Sequence, residues 1–300
     1  MDYLGIDIGG TKVAFRLHGR DGERETVVRW PAGTDPANDL AALRRGLRAV
    51  AGRRPKSGPL SVGVAVPALL DPDGRVLTWP NRPGWRGIDL RGLFDRELPG
   101  VPVRFGDDGD LATLAEAYQA GRPDLLYLGV GTGVGGGLFL DGDLLRSDNG
   151  PVAEVGHIVV APDGPPCRCG RRGCVQAIAS GPATLRRAAR ADPTVTGSAA
   201  LRSALAAGAP WAHRTVRETA TALGTAVATV TELVRPAVVR LGGGFAAALP
   251  ELGAATEAVV RALDRPGHPA PPVEPAAYGA ASSLAGAVLL ARRPGLLAAA

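Results

Sequence analysis

Short apolar runs alternate along the chain with longer segments whose apolar residues recur at helical spacing. Runs typical of β-strands occupy residues 3–8, 13–17, 60–67, 101–105, 125–130 and 236–241. Helical spacing occurs at residues 40–50, 111–118, 183–190, 211–233 and 277–292. Strands that alternate with helices are typical of an α/β protein, so this is the fold class we predict.

The first two strands surround a glycine-rich turn, and together they predict a β-hairpin. The turn is Gly9-Gly10-Thr11-Lys12. A P-loop requires Lys before Ser or Thr and then a helix, whereas here Thr precedes Lys and a strand follows. The backbone amides of such a turn can still bind phosphate, and Asp7 before it can hold Mg²⁺ through water. An ordinary hairpin turn is the alternative, because Gly-Gly turns are common.

Two further glycine-rich turns follow apolar strands. Gly131, Gly133 and Gly136 match Gly-x-Gly-x-x-Gly, the pattern of a dinucleotide-binding fold. That fold requires a helix next, but residues 138–142 continue as a strand with its own turn, so we discount it. Residues 242–244 lie between a strand and a helix, where glycines can hold adenosine or serve as a simple connector.

An acidic cluster lies between the strand at 101–105 and the helix that follows. It contains Asp107, Asp108 and Asp110. Aspartate is a favoured N-cap, and one aspartate is enough for that role. Three carboxylates within four positions repel one another, which favours a functional site over a cap alone.

All three cysteines of the chain lie in one short segment, downstream of a histidine. The set His157, Cys167, Cys169 and Cys174 matches a closed Cys3His site for structural Zn²⁺. Gly170 and Gly173 supply the tight turns that such a loop requires. A disulfide is the alternative, but it needs an oxidising compartment and leaves one thiol over.

The chain has 300 residues, a length that suits two domains better than one. Its hydrophobic content of 45% is enough to bury a substantial core. The net charge of +5 comes mostly from scattered arginines, which favours solvated surface over nucleic-acid binding. No run reaches the ~18 apolar residues of a membrane helix, and the start lacks the pattern of a signal peptide. We therefore expect a cytoplasmic protein without nucleic-acid or membrane partners, in a compartment where reduced thiols suit zinc.

The segment from Glu154 to Gln176 resembles the signature of the ROK family, the bacterial sugar kinases and sugar-responsive repressors related to glucokinase. It has Glu-x-Gly-His, then Cys-x-Cys-Gly-x-x-Gly-Cys-x-Gln. The segment at Asp7 resembles the first phosphate motif of the same actin-like ATPases, and the resemblance extends to the last helix. It implies a two-domain actin-like (ribonuclease H-like) fold with the active site in the interdomain cleft. The expected domains are residues 1–115 with helix 280–300, and residues 116–279 with zinc loop 154–176.

The resemblance also implies residue roles. Asp108 falls on the catalytic aspartate, which accepts the proton of a sugar hydroxyl as that hydroxyl attacks the γ-phosphate of ATP. Residues expected to bind ATP and Mg²⁺ are Asp7, Gly9, Gly10, Thr11, Lys12, Thr132, Gly133, Gly242 and Gly243. Residues expected to bind the sugar are Ala65, Asn81, Asp107, Asp108, Glu154, His157 and Gln176. Family members form dimers, so we expect a homodimer; the phosphate motif begins at residue 5, which disfavours the repressor branch.

Four positions depart from the family pattern. One is Asp110, which replaces the second asparagine of the family's Asn-Asp-Ala-Asn. Asp107 replaces an asparagine expected near the 3-hydroxyl of the sugar, Gln176 replaces a glutamate near the 1- and 2-hydroxyls, and Ala68 replaces a glycine. An aspartate adds a negative charge, so an ammonium group gains a charge-assisted hydrogen bond there. Our hypothesis is 6-phosphorylation of an amino sugar, with kanosamine (3-amino-3-deoxyglucose) the best fit. An ordinary glucokinase, a kinase of another modified sugar or cyclitol, and a catalytically silent sugar sensor are the alternatives.

Overall fold

The computed structural model describes residues 1–20, 22–31, 33, 35–52, 59–147 and 151–297. The chain divides into two compact units. Unit 1 comprises Met1–Leu111 and Ser283–Ala300, and unit 2 comprises Ala112–Ser282. The assignment of residues 1–115 with 280–300 and of 116–279 to two folding domains stays a prediction, and residues 298–300 lie outside the described part.

Unit 1 is built on a mixed sheet. Its described strands are β1 (Asp2–Ile8), β2 (Lys12–Gly19), β3 (Gly22–Arg29), β4 (Leu60–Ala65), β5 (Leu69–Leu70), β6 (Val76–Thr78) and β7 (Val103–Gly106). Among the described residues the main sheet has the order β3-β2-β1-β4-β7, and β5 pairs with β6 separately. β1 is antiparallel to β2 and parallel to β4, which is parallel to β7. The predicted first hairpin is therefore confirmed.

Helices cover this sheet. They are α1 (Pro36–Ala51) and α2 (Leu90–Glu97), and α3 (Asp108–Ala120) begins directly after β7. Asp35 caps α1 by accepting a hydrogen bond from the Ala37 N–H. Pro36 occupies the first helical position, where the N–H that proline lacks would have no partner within the helix. Leu4 and Ile6 of β1 and Leu43 of α1 are fully buried and belong to one core. The apolar alternation of the sequence thus builds the unit around β1.

Unit 2 repeats the sheet order with other strands. They are β8 (Leu125–Val130), β9 (Val134–Leu140), β10 (Asp143–Leu144), β11 (Val238–Gly242) and β12 (Val273–Pro275). In the described residues the order is β10-β9-β8-β11-β12, with the β8–β9 and β9–β10 pairs antiparallel and the others parallel. Because residues 131–133 lead into strand β9 rather than a helix, the dinucleotide-binding alternative is excluded.

The helices of unit 2 surround its core. They are α4 (Val175–Ala179), α5 (Gly181–Ala191), α6 (Ser198–Ala206), α7 (Pro210–Val234), α8 (Gly244–Ala248) and α9 (Glu251–Ala262). α7, the predicted helix at 211–233, buries Leu223, Ala226 and Val227 completely. His213 on its other face is exposed, as predicted. No described helix is both long and apolar enough to span a bilayer.

The last helix, α10 (Ser282–Arg292), packs on the sheet of unit 1 through glycines. A Cβ atom on Gly63 of β4 would collide with the backbone of Ala287, and one on Gly5 of β1 would collide with Val288. The predicted start at Ala277 is wrong. Gly279 has φ +55° in the left-handed region, and a single 3-10 turn precedes the helix.

We expect Gly63→Ala to lower the free energy of unfolding by about 1–3 kcal/mol, because the added methyl meets backbone that cannot rotate away. Gly253→Ala on α9 is the control, since a Cβ atom there meets nothing within 4 Å. It should be neutral or stabilise by up to about 1 kcal/mol through helix propensity. Urea unfolding measures both. An unchanged Gly63→Ala protein would show that α10 does not contact β4 this closely.

Candidate active site

The carboxyl ends of three parallel strands of unit 1 form one row. Asp7 of β1 pairs with Ala65 of β4, and Ala65 pairs with Gly106 of β7. Asp107 and Asp108 follow Gly106 directly. Ligands of α/β sheets bind outside the carboxyl ends of the strands. The fold therefore gathers three carboxylates and the predicted sugar-binding Ala65 at one edge of this sheet.

Asp107 is the N-cap of α3. Its Oδ1 accepts hydrogen bonds from the N–H of Gly109 at 2.9 Å and from that of Asp110 at 3.2 Å. The cap expected from the sequence is therefore accounted for by this one residue. Asp108 and Asp110 lie in the first turn of the helix, where the positive end of the helix dipole favours negative charge.

Crowding and burial weaken the acidity of these carboxyls. Burial raises the pKa of Asp7 to about 6, and the nearby Lys12 opposes this in part. Burial raises the pKa of Asp108 well above its usual range, and the charges of Asp107 and Asp7 raise it further. Desolvation also raises the pKa of Asp107, although the residue is exposed and the N–H groups at the start of α3 oppose the shift. A carboxylate with a raised pKa is a stronger base, which suits it to accept a hydroxyl proton.

The glycine turn between β1 and β2 is held by side chains from distant segments. The turn closes with a 2.9 Å hydrogen bond from the Gly9 N–H to the Lys12 carbonyl. The indole of Trp30 donates to the Gly9 carbonyl at 2.7 Å, and Nε of Arg82 donates to the Gly10 carbonyl at 3.2 Å. Sequence analysis missed both donors because they lie 21 and 72 residues from their acceptors.

The predicted sugar-side loop lies beside this turn. A Cβ atom on Gly10 would lie 3.9 Å from the Cβ atom of Asn81. Arg82, the next residue, forms a buried ion pair with Asp39, which also accepts a 3.0 Å hydrogen bond from the indole of Trp85. The loop is thus fixed to α1 through Asp39, and Asn81 is fixed with it.

The second glycine hairpin lies in unit 2, between β8 and β9. Its turn closes with a 2.9 Å hydrogen bond from the Gly131 N–H to the Gly133 carbonyl, and Thr132 at the tip is exposed. The N–H of Gly181 donates to the Gly131 carbonyl at 2.9 Å. A Cβ atom on Gly133 would lie 3.0 Å from Oε1 of Gln176. The predicted phosphate turn of this unit and the departing Gln176 are therefore neighbours.

The third glycine turn joins β11 to α8. Gly243 has φ +86°, and a Cβ atom there would collide with the backbone of Val130. A Cβ atom on Gly242 would lie 2.9 Å from the hydroxyl of Tyr127. Only glycine fits at either position, so the backbone itself forms the surface at the predicted adenosine turn.

The donor atoms of His157, Cys167, Cys169 and Cys174 all lie within 4.8 Å of one another. The Sγ atoms of Cys169 and Cys174 are 3.6 Å apart, and Sγ of Cys167 is 3.8 Å from Nδ1 of His157. A tetrahedral zinc ion with Zn–S of about 2.3 Å and Zn–N of about 2.0 Å places sulfurs about 3.8 Å apart and nitrogen about 3.5 Å from sulfur. The four donors fit such an ion. The three cysteines are free, and the distance between the Sγ atoms of Cys169 and Cys174 exceeds the ~2.05 Å of a disulfide bond.

The loop turns at two glycines, and its surroundings shift the pKa values of two of the thiols in opposite directions. Gly170 and Gly173 have φ +91° and +65°, which lets the chain reverse between the cysteines. A backbone N–H of Arg171 hydrogen-bonded to the sulfur lowers the pKa of Cys169 to about 6. Burial raises the pKa of Cys174 to about 12.

The sugar-binding residues predicted in unit 2 lie around this cluster. Nε2 of Gln176 donates to Sγ of Cys167 at 3.5 Å. Glu154 precedes a single 3-10 turn, and its carbonyl accepts a 2.8 Å hydrogen bond from the N–H of His157. Glu154, His157 and Gln176 are thus assembled within unit 2, while Ala65, Asn81, Asp107 and Asp108 are assembled within unit 1.

Comparison with known proteins agrees with these motifs. The sequence model described as "ROK family" matches residues 3–294. The chain belongs to the ROK family. A kanosamine kinase of Amycolatopsis mediterranei (strain S699) is 47% identical to it, over 99% of this chain and 97% of that protein.

Two solved ROK structures are similar over their whole length. A ROK hexokinase from Thermus thermophilus has 33% identity and a TM-score of 0.76, with 97% of this chain and 98% of that chain covered. A ROK glucokinase from Streptomyces griseus, in complex with glucose and AMPPNP, has 27% identity and a TM-score of 0.84, with 98% and 100% covered. ROK sugar kinases have the two-domain actin-like ATPase fold, so the predicted family and fold class are confirmed.

One buried charge of this ROK chain escaped the sequence analysis. Glu116 on α3 is fully buried. Its carboxylate accepts hydrogen bonds from the Ala277 N–H at 2.8 Å, the Tyr278 N–H at 3.0 Å and the Ser282 hydroxyl at 2.8 Å. The carbonyl of Gly279 in the same turn accepts from the N–H of Gly243. The available signal was an acidic residue among apolar neighbours on a helix. Glu116 thus holds the segment whose Gly279 carbonyl binds Gly243 of the predicted adenosine turn.

We expect Asp7→Asn to stabilise the protein above pH 6 in the absence of Mg²⁺ and nucleotide. A carboxyl whose pKa is raised on folding contributes stability below its unfolded pKa of 3.8, and this is lost as pH rises through about 6. The free energy of unfolding of the variant should exceed that of the wild type by about 2–3 kcal/mol at pH 8 and by less at pH 5.5. Urea unfolding at both values measures the difference.

Asp163→Asn is the control for this experiment, because Asp163 is exposed in the cysteine loop. Its difference from the wild type should be near zero and independent of pH. A constant difference for Asp7→Asn across the same range would contradict the shifted pKa.

Proposed function

We propose that the protein is an ATP-dependent kinase that transfers the γ-phosphoryl group to the 6-hydroxyl of kanosamine. The observation that carries the proposal is the aspartate pair at the start of α3. The resemblance assigns Asp108 to the position of the catalytic base, and Asp107 would add a charge where the family pattern has asparagine. The relative with 47% identity, a kanosamine kinase, supports the same substrate.

In this mechanism Asp108 accepts the proton of the attacking hydroxyl. Its raised pKa supports the assignment, because a more basic carboxylate takes up a proton more effectively. The amides of the Gly9–Gly10 and Gly131–Gly133 turns would bind the phosphates, with Lys12 and Thr132 beside them. Gly242 and Gly243 would contact adenosine.

Asp7 is the residue that would hold Mg²⁺, through water. The charges of Asp107 and Asp7 raise the pKa of Asp108, so a divalent cation fits there by relieving this repulsion. When bound, Mg²⁺ neutralises negative charge on the phosphates.

Asp107 would select the amino sugar. An ammonium at the 3-position gains a charge-assisted hydrogen bond to the carboxylate, whereas a neutral hydroxyl loses the amide donor that asparagine would supply. The cap on α3 makes the position easy to test, because asparagine caps helices as well as aspartate does. Asp107→Asn therefore removes the charge and retains the structural role.

The test is ATP-dependent release of ADP by purified protein with kanosamine, glucose, other amino sugars and cyclitols. The wild type should prefer kanosamine. Asp107→Asn should shift the kcat/KM ratio of kanosamine to glucose toward glucose by about one to two decades, the equivalent of a charged hydrogen bond of about 1.5–3 kcal/mol. Asp108→Asn should abolish release with every sugar.

Asp110→Asn is the matched control, because it removes a charge from the same helical turn without altering the cap. The ratio should stay within about threefold of the wild-type value. An unshifted ratio in Asp107→Asn would remove the assigned role of that charge.

Glucose is the second candidate substrate, favoured by the likeness to the Streptomyces griseus glucokinase. A wild-type protein that phosphorylates glucose at least as well as kanosamine would be a glucokinase. Preference for another sugar or a cyclitol would indicate that Gln176, which replaces a glutamate near the 1- and 2-hydroxyls, sets the specificity. No release of ADP with any sugar would indicate a catalytically silent sugar sensor.

The proposal includes a structural Zn²⁺ held by His157, Cys167, Cys169 and Cys174. The near-tetrahedral spacing of the donors supports it. Such an ion would order the loop that carries Gln176 and the neighbouring Glu154, both assigned here to the sugar pocket. A cytoplasmic location and assembly as a homodimer belong to the same proposal and stay predictions.

Cys169→Ser should reduce the zinc content from one ion per chain to well below one and should lower the melting temperature. Only three of the four donors remain, because the hydroxyl of the introduced serine is a poor zinc ligand. Elemental analysis and thermal unfolding measure these changes. Asp163→Ser is the control, since it alters an exposed residue of the same loop and should retain a full equivalent. Full zinc content in Cys169→Ser would contradict the ligand set.

A further inference from the structure

The glycine turn between β1 and β2 is held through both of its glycine carbonyls. Trp30 donates to the Gly9 carbonyl at 2.7 Å, and Arg82 donates to the Gly10 carbonyl at 3.2 Å. Trp30 follows β3 and Arg82 lies in the loop after β6, so the two donors come from separate segments of unit 1. Neither side chain belongs to the residues expected to bind ATP, Mg²⁺ or the sugar.

These two hydrogen bonds determine where the next N–H groups point. A peptide unit is planar and trans, so a carbonyl and the following N–H point in opposite directions. The structure has no cis peptide bond among its described residues. When Trp30 holds the Gly9 carbonyl, the Gly10 N–H points away from the indole. When Arg82 holds the Gly10 carbonyl, the Thr11 N–H points away from the guanidinium.

Arg82 is itself held rigidly. Asp39, only 1% exposed, forms the ion pair with its guanidinium, and Trp85 donates to the same carboxylate oxygen at 3.0 Å. The guanidinium carbon lies 5.0 Å from the centre of the Trp30 ring, within the range of a cation–π contact. A buried ion pair contributes little net stability, and fixing a geometry is its best-attested use. Here the geometry that it fixes is that of the glycine turn.

We propose that Trp30 and Arg82 are positioning residues that orient the N–H groups of Gly10 and Thr11 toward the phosphates of ATP. The proposal rests on the nucleotide-binding role given to this turn above. Since Arg82 follows Asn81 directly, it also joins the sugar-side loop to the phosphate turn. Losing either donor leaves a peptide unit that must be ordered when the nucleotide binds, which weakens binding of the phosphates.

The first test is Trp30→Phe, which keeps an aromatic ring and removes the indole N–H. The Kd of Mg²⁺·AMPPNP, measured by calorimetry, should rise about three- to tenfold, the equivalent of one hydrogen bond. Trp79→Phe is the matched control. Trp79 is also buried and contacts the same Trp85, but its Nε1 has no hydrogen-bond partner among the described residues. Its Kd should stay within about twofold of the wild-type value.

The second test is Arg82→Lys, with Arg86→Lys as the control because Arg86 is exposed in the same loop. A single ammonium cannot reproduce the fork that reaches both Asp39 and Gly10. Arg82→Lys should raise the Kd of Mg²⁺·AMPPNP about three- to tenfold and should also raise the Kd of kanosamine, since Asn81 is adjacent. Trp30→Phe should change the Kd of kanosamine by less than about twofold.

A merely structural role would lower the melting temperature of the two variants and leave the Kd of Mg²⁺·AMPPNP unchanged, which would overturn the proposal. So would equal effects of Trp30→Phe and Trp79→Phe. Because AMPPNP binding needs no acceptor, this result is independent of which sugar is phosphorylated. A wild type that fails to bind Mg²⁺·AMPPNP would overturn both this proposal and the proposed function, whereas binding without sugar turnover would overturn only the latter.

Discussion

The register of three parallel strands is the constraint on which the chemistry of unit 1 depends. Asp7, Ala65 and Gly106 lie in one row because β1, β4 and β7 pair in parallel. The chain leaves this row as a glycine turn after β1 and as the start of α3 after β7. One edge of one sheet thus receives backbone amides, the positive end of a helix and three carboxylates. A shift of one residue in either pairing would separate them.

The same crowding gives the site its electrostatics. Carboxylates that are close together and partly desolvated are poor acids, so burial and mutual repulsion raise the pKa of Asp108. For Asp107, the hydrogen bonds that its carboxylate accepts from N–H groups at the start of α3 oppose the rise in pKa. Unit 2 repeats the strand order, yet its predicted site residues include cysteines, glycine turns and Gln176 besides the acid Glu154. One sheet plan therefore supports two different kinds of surface.

The sequence predicted the parts of the fold that depend on neighbours in the chain. Apolar periodicity located the hairpin of β1 and β2 and the long helix α7, and the cysteine spacing identified a donor set that the structure brings within 4.8 Å. Contacts between distant segments were not predictable, because nothing local marks Trp30 or Arg82 as a donor to a glycine carbonyl. The start of α10 was missed because Gly279 adopts a left-handed conformation that helical periodicity does not reveal.

The aromatic packing around the first glycine turn has a practical consequence. Three of the four tryptophans of the chain lie there: Trp85 is 5.8 Å from Trp30 and 4.8 Å from Trp79 between ring centres. One of these indoles is hydrogen-bonded directly to the turn. Most of the tryptophans that contribute to the intrinsic ultraviolet emission of the protein therefore lie beside the first glycine turn, and this emission provides a label-free optical signal of changes at that turn.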